Sequence, residues 1–508
     1  MGGNGNSAGT NAGGESTAGA DSGAGGENSA GAAASAGQGA AGSSSGGSGI
    51  PAVGDGELDA TCMQRTSLHT PGSRIVELVA VTAEGDRAFL SFYDTEKQEE
   101  CLPAQDADGT FRCLPPARDK DLVNIYYLDD QCTQEAHYRG ICSLDYQAIP
   151  VSSDGCDQRR RLVPFGERLA DQLVYELTPE GACEPYNELN NLYAAGPELV
   201  PSEYVELEPV AFRGLGRIWT RGFQGDGDLR IVTDLLDSEL DQRCGVLPLE
   251  DGQEHCAPVT RGQLGFTDPS CEQSLLYADS TCGEPPAKYV AYGSGDSCNP
   301  SASFLRATAP YEGELYLSSS CMPATNMDAT TFSTEPAPAS DFVAFESATA
   351  TSDEGRLKPM YRTTLDGGCF FQDFWDEELE TVCTFTGSGS TFYCLPKSSS
   401  PGESLELYAD SSCDTAQYYV RVRNCDGAKP PPFWVVYSSA CGSGFELRAL
   451  DPKPRTVRRV DPAPVTLPSL WVGSGDSCTP YTPDSQYTHY AAGDVVPTSA
   501  FMPATLEP

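Results

Sequence analysis

The chain has 508 residues, 39% of them hydrophobic, and carries 32 Lys+Arg against 73 Asp+Glu, a net charge of −41. A field of that sign repels phosphate backbones and anionic lipid, which excludes nucleic acid as a partner and disfavours electrostatic membrane docking. No apolar run reaches the roughly eighteen residues of a spanning helix, and Met1 is followed at once by Gly, Asn and Ser rather than by a signal-peptide core.

Residues 1–55 are almost wholly Gly, Ala, Ser, Asn and Thr, and the first large aliphatic is Ile50. Such a segment cannot bury enough apolar area to offset its ordering entropy. It is expected to be a disordered tether spanning roughly 40 Å root-mean-square. A Gly/Ala/Ser/Asn tether ahead of acidic, Cys-rich modules resembles the surface lipoproteins of myxobacterial type. The resemblance is one of composition and covers the tether and the Cys-rich style. It implies a lipidated Cys where Met1-Gly2-Gly3 now stands, hence a lipid anchor on the native N-terminus and an outer-membrane surface location. It implies no active site.

There are 20 cysteines. No CxxC pair occurs, and His69, His137, His255 and His489 are scattered, so a zinc site is not expected. Disulfides in an oxidising, extracellular compartment are.

Three units follow the tether, at 63–208, 209–347 and 348–508. Cys101, Cys244 and Cys383 lie 143 and 139 residues apart. Each is preceded at −27 by Arg (Arg74, Arg217, Arg356) and at −7 by Asp (Asp94, Asp237, Asp376). A second Cys follows: Cys113, Cys256 and Cys394. Further on, YYLDDQC132, LYADSTC282 and LYADSSC413 match, as do RRRLVPF, SFLRA and FELRA. The closing runs LYAAGPELVPSEYV, TFSTEPAPASDFV and HYAAGDVVPTSAFM match as well. The simplest connectivity is sequential: Cys101–Cys113, Cys132–Cys142, Cys156–Cys183; Cys244–Cys256, Cys271–Cys282, Cys298–Cys321; Cys383–Cys394, Cys413–Cys425, Cys441–Cys478. Six cysteines per unit permit other pairings. Cys62 and Cys369 then pair with each other, unless one of them is free or intermolecular.

Within the units the local signals are those of strands. RIVELVAVT, RAFLSFY, LVNIYYL, KYVAY, GELYL, YYVRV, FWVVY and SLWV are β-branched and aromatic, with DADG, GSGDS and PPP turn clusters between them. The expected fold is all-β. A β-propeller with two or three blades per unit leads, and three tandem β-sandwich domains are the alternative. No Gly/Ser linker marks 208 or 347, which favours one fused body.

The pairs Asp94/Glu96, Asp237/Glu239 and Asp376/Glu378 could serve acid–base chemistry or calcium. Their recurrence in triplicate favours framework roles, and the recurring Arg residues are expected to ion-pair with them. Asp106, Asp108, Asp226 and Asp228 are weak calcium candidates, since neither acidic turn completes a twelve-residue loop. No other cofactor is expected. Ser297 and Ser477, in GSGDSC, resemble a protease nucleophile loop, but Cys follows where that pattern needs Gly. His255 is the one histidine that loosely fits as a partner. The basic islands Arg159–Arg161 and Arg455/Arg458/Arg459 could meet an acidic partner, although solvated strand faces are the simpler reading. Trp219, Trp375, Trp434 and Trp471 are expected in the core. Two functions remain in view. One is a secreted or surface-anchored, non-enzymatic binding, adhesion or envelope scaffold protein with a glycan or protein ligand. The other is a secreted polysaccharide hydrolase using carboxylates on the β body.

Overall fold

The computed structural model describes residues 67–508 apart from 119–124, 139–144, 152–158, 179–180, 190, 215, 260–262, 272–274, 280–286, 295–300, 318–320, 324–329, 350–354, 389–390, 398–401, 426–428, 438–454, 468 and 474–477. The expected tether lies outside the described residues, as do Cys62, Cys142, Cys156, Cys282, Cys298, Cys441, Ser297 and Ser477. The described residues form an all-β fold of strands and short 3₁₀ turns, without an α-helix. None holds a helix long and apolar enough to cross a membrane.

Fifteen strands form one antiparallel sheet. The first unit contributes β1 (Ile75–Thr82), β2 (Arg87–Asp94), β3 (Glu99–Gln105), β4 (Phe111–Leu114) and β5 (Glu208–Phe212), a closing strand that runs past the border expected at 208. The second contributes β6 (Ile218–Gln224), β7 (Arg230–Asp237), β8 (Gln242–Pro248), β9 (Glu254–Pro258) and β10 (Val343–Thr349). The third contributes β11 (Leu357–Thr363), β12 (Cys369–Asp376), β13 (Thr381–Ser388), β14 (Thr391–Pro396) and β15 (Pro503–Glu507).

The strands lie side by side in chain order, from β5 to β15 and then β1 to β4. Residues leading into β5 also reach β4. The Cys113 N–H donates to Val205 at 3.0 Å, and the Leu207 N–H to Phe111 at 2.8 Å. Between its fourth and fifth strands each unit inserts a smaller sheet: eight strands within 117–195, six within 263–337 and seven within 402–495.

Unit borders are strand pairs. β10 bonds β9 of its own unit (Cys256↔Val343) and β11 of the next (Glu346↔Thr363). The cores are shared in the same sense. Ile75, Phe92, Cys101 and Cys113 pack with Leu229 and Ile231 of unit 2. Ile218, Cys244, Cys256 and Phe345 pack with Phe370 of unit 3. Leu357, Phe374, Cys383 and Cys394 pack with Ala80 and Ala88 of unit 1. A side chain on the first hairpin of one unit thus completes the core of the unit before it.

Each such hairpin also carries an acid that caps the neighbour's backbone. Asp226 accepts from the Ser73 hydroxyl at 2.6 Å and from the Arg74 N–H. Asp366 accepts the Arg217 N–H at 2.6 Å, and Glu84 accepts the Arg356 N–H at 2.8 Å. Gly216, at φ +76°, leaves room for the second cap, because a Cβ there would lie 2.1 Å from the Asp366 carboxyl carbon.

Acid is expected to loosen these borders. Burial raises the pKa of Asp226 and Asp366, but hydrogen-bond donors outweigh it and hold both below the usual carboxylate value: the neighbour's Ser73 hydroxyl and Arg74 and Ile75 N–H groups at Asp226, and the Thr364 hydroxyl of its own hairpin with the neighbour's Arg217 N–H at Asp366. Their contribution is whole above the unfolded pKa and is lost as pH falls through the lower folded value. His69, from the segment before β1, accepts the Val232 N–H on Nδ1 at 3.0 Å and packs 4.1 Å from the Phe89 ring. Burial pushes its pKa down from 6.5 to about 3. Its neutral form belongs to the fold, so that contribution is whole above pH 6.5 and is lost as pH falls toward 3. Urea midpoints should therefore decline steadily from pH 7 to 3, and His69→Phe should flatten the upper half of the curve. A midpoint constant between pH 7 and 4 would contradict this.

Six disulfides fall on described residues. Cys101–Cys113, Cys244–Cys256 and Cys383–Cys394 each cross-link a hairpin, with Cα atoms 5.1–5.2 Å apart. The rest of the sequential scheme is corrected. Cys132 bonds Cys183 rather than Cys142, Cys271 bonds Cys321 rather than Cys282, and Cys413 bonds Cys478 rather than Cys425. The expected Cys156–Cys183, Cys298–Cys321 and Cys441–Cys478 fall with them.

The reason is turn chemistry. Cys132, Cys271 and Cys413 all sit at positive φ (51°, 56° and 56°). Each donates its N–H at 3.2 Å to the carbonyl of an Asp three residues earlier: Asp129, Asp268 or Asp410. The unit 2 counterpart of YYLDDQC132 is therefore FTDPSC271 and not LYADSTC282. Cys369 and Cys425 are also disulfide-bonded. Disulfides of this number are those of an oxidising environment.

Candidate binding site

The triplicated Arg and Asp residues form three copies of one structural cluster. Arg74 grips Asp94 with Nε and Nη2 at 2.8 and 2.7 Å, and Nη1 lies 3.0 Å from Glu96. Arg217 holds Asp237 at 2.7 Å and Glu239 at 3.4 Å; Arg356 holds Asp376 at 2.8 Å and Glu378 at 2.6 Å. Each Asp is fully buried. Each also accepts the backbone N–H groups two and three residues on, as at Glu378 (3.0 Å) and Leu379 (3.2 Å).

The same guanidinium donates to a carbonyl at the end of its unit: Glu203 at 2.8 Å, Asp341 at 2.9 Å and Ala500 at 2.7 Å. Those residues end the 3₁₀ turns Pro201–Glu203, Ala339–Asp341 and Thr498–Ala500, which lie within the matching closing runs. The cluster ties a unit's start, middle and end together. Its carboxylates are engaged by Arg and amides, which leaves little for acid–base work.

The other candidates are mostly engaged as well. Asp106 is buried, accepts Asp108 and Thr110 N–H, and pairs with Arg112 Nε at 2.7 Å. Asp226 is the border cap, while Asp108 and Asp228 are exposed. Among the described residues no group of three acids, histidines or cysteines could hold a metal. His255 has Nδ1 3.2 Å from the Phe342 carbonyl and Nε2 2.9 Å from Asp251, so both nitrogens face acceptors within the fold. The basic islands do not form one patch. Arg161 pairs with Glu135 at 2.7 Å, Arg458 lies over the Tyr418 ring at 4.2 Å, and Arg459 lies over Phe433 at 5.1 Å.

A cleft does occur in unit 2, where the inserted sheet meets the β8–β9 turn. The turn is closed by Leu249 N–H to Gln253 and Gly252 N–H to Leu249, both at 2.9 Å. Leu249 bridges to Ala302. Corresponding register pairs in the three inserted sheets are Ala148↔Leu162, Ala291↔Phe304 and Val435↔Val457. The strand positions before Phe304 are therefore Ser303 and Ala302 in unit 2. Units 1 and 3 have Arg161 and Arg160, or Thr456 and Arg455, in those places.

The closing run differs in the same way. Leu199 bonds Leu162 and Val496 bonds Val457, but Ala337 pairs with Phe304. The small residues Ala302 and Ala337, on the face of Phe304, leave a cavity of about 230 Å³. Leu249, Phe304, Pro336 and Pro338 supply apolar walls, and Glu250 is the charged residue at its rim. Tyr292 and Ser303, paired in register beside Ala291↔Phe304, alternate to the other face of the sheet, where Tyr292 packs with Val290 and Leu305. Leu249 stands where unit 1 has Asp106, so the Arg112–Asp106 pair that occupies that corner is absent.

A family model for a family of unknown function, DUF7481, matches residues 60–501. The chain belongs to the DUF7481 family. No curated protein and no solved structure matches it. The DUF7481 match begins beyond the Gly/Ser-rich segment and spans all three units.

Sequence reasoning passed over Glu250, Ala302 and Ala337 in this DUF7481 chain. The available signal was the Ala302-Ser303 pair standing opposite Arg160-Arg161. The likeness of FELRA to SFLRA obscures it, since FELRA lies outside the described residues and the strand that corresponds is Arg455–Val465. The four tryptophans are not fully buried, although Trp434 packs against the core of Val420, Val422, Val460 and Tyr490. Trp219, Trp375, Trp434 and Trp471 are all half-buried.

Proposed function

We propose that this is an exported, surface-held, non-enzymatic binding protein, whose unit 2 cleft receives one sugar ring of a glycan. The observation that carries the reading is the cleft itself: an apolar floor with the Glu250 carboxylate at its rim, present where unit 2 has small residues and its sister units have large ones. Apolar walls with a few placed polar groups are what small-ligand sites use. The volume is below the roughly 300 Å³ of drug-sized sites, which suits a single ring.

The body is read as a ring of three repeats built on the shared sheet. The β4 contact with Val205–Leu207 supports this over separate sandwiches. The six disulfides fit an extracellular setting, and the tether composition fits a lipid anchor that holds the body off a surface.

Ala337→Leu, which installs the unit 1 residue, tests the cleft. It should abolish monosaccharide binding measured by NMR titration of the full chain, with the melting temperature within a few degrees of the parent. Unchanged binding in that variant would remove the cleft from consideration.

A further inference from the structure

We infer that His255 is a proton-operated clamp: as an imidazolium it holds the β8–β9 turn of unit 2 to the end of that unit, and when neutral it releases one side. The inference is independent of what the cleft receives. His255 is 3% exposed, and its ring lies between two acceptors. Nε2 is 2.9 Å from the Asp251 carboxylate, and Nδ1 is 3.2 Å from the Phe342 carbonyl. A neutral imidazole has one N–H and one lone pair, so it donates to one acceptor and turns its lone pair on the other. The imidazolium donates to both.

Unit 1 shows what the position asks for. Arg112 stands one residue before Cys113, as His255 stands one residue before Cys256. Arg112 donates through Nε to Asp106 at 2.7 Å and through Nη1 to the Tyr204 carbonyl at 3.2 Å. Asp106 lies in the β3–β4 turn and Asp251 in the β8–β9 turn, and Tyr204 and Phe342 both follow the closing 3₁₀ turn of their unit. Both units thus bridge a turn carboxylate and a closing carbonyl. Unit 1 does so with a permanent cation, unit 2 with the residue type that changes charge between about pH 5 and 8.

The surroundings leave Asp251 as the counter-charge. The Gln253 N–H, and then His255, hold its carboxyl below the usual value despite desolvation. Glu254, on the same strand as His255, is held by Arg362 at 2.7 Å, and Asp341 accepts from the Tyr289 hydroxyl at 3.2 Å. The flanking strands place Leu247 and Ala344 beside His255, which bring no charge, and Glu250 is exposed on the turn. The clamp joins two walls of the cleft. Its turn carries Leu249 and Glu250, and the Phe342 ring lies 5.0 Å from Phe304.

The test is hydrogen exchange of the full chain at about pH 5 and pH 8, the two ends of the histidine range, corrected for intrinsic rates. Protection of the Leu249 and Gly252 amides in the turn should be about tenfold higher at the lower pH, the worth of one hydrogen bond to a charged group. His255→Arg, the unit 1 residue, should keep protection high and equal at both pH values, and His255→Phe should leave it low at both. This direction is opposite to the acid loosening at His69, so general destabilisation cannot imitate it. Equal protection of the parent chain at both pH values would overturn the clamp, as would an Arg variant that keeps the pH dependence. If the variants do not fold, nitrogen NMR of the parent's His255 ring decides. Two protonated ring nitrogens at the lower pH are expected, and a single neutral tautomer there overturns the clamp.

Discussion

Asp376→Ala is expected to lower the free energy of unfolding by about 3–5 kcal/mol, the usual cost of removing one partner from a buried ion pair. The carboxylate is fully buried, holds Arg356 through two contacts of 2.8 Å, and accepts the N–H groups of Glu378 and Leu379. Its loss strands the guanidinium and frees two turn amides at once. Arg356 also holds the Ala500 carbonyl at 2.7 Å, so the effect should spread to β15, which bonds both β14 and β1. Urea denaturation gives the magnitude, and hydrogen exchange at Ala504 and Leu506 gives the reach. A loss under 1 kcal/mol with β15 still protected would mean that the cluster does not hold the unit together. Glu378→Ala, whose side chain is 68% exposed, is the internal comparison and should cost well under 1 kcal/mol.

Removing the Cys413–Cys478 bond as a double Ser variant should cost more than removing Cys383–Cys394. The loops differ, 65 residues against 11. In the chain-entropy model the longer loop corresponds to about 4 kcal/mol and the shorter to about 3. Any further cross-link inside the long loop would narrow that gap. The local geometry acts in the other direction. Cys383 and Cys394 are fully buried in the core with Phe374 and Phe385, whereas Cys413 and Cys478 lie at a half-buried turn. Two Ser hydroxyls left in that core add a desolvation cost. Thermal unfolding of both variants decides between loop entropy and core burial. A larger loss from the short bond would show that burial dominates.

The same weighing explains the two sets of cysteines. A spacing of 11 or 12 residues with turn residues between is a hairpin, and a cross-hairpin bond follows from local chain geometry alone. The pairs Cys132–Cys183, Cys271–Cys321 and Cys413–Cys478 span 50 to 65 residues. They depend on which strands of an inserted sheet become neighbours. Leu177 pairs with Cys183, and Cys183 comes within 3.7 Å of the Asp129 carbonyl in the turn that ends at Cys132. Sequential pairing was the wrong default because it assumed that neighbours in sequence are neighbours in the sheet.

By itself the sequence determined the all-β content, the Arg at −27 and Asp at −7, and the hairpin disulfides. These rest on alternation, on charge pairing within one meander and on short-range turns, all of which act over a few to a few tens of residues. Tertiary structure alone decided that the strands run edge to edge across unit borders, that Asp226, Asp366 and Glu84 cap the neighbouring unit, and that unit 2 has a cleft. Those features are sums over segments far apart in the chain. The cavity is the volume left when residues 249–250, 302–304 and 336–339 meet, and no one of those segments encodes it.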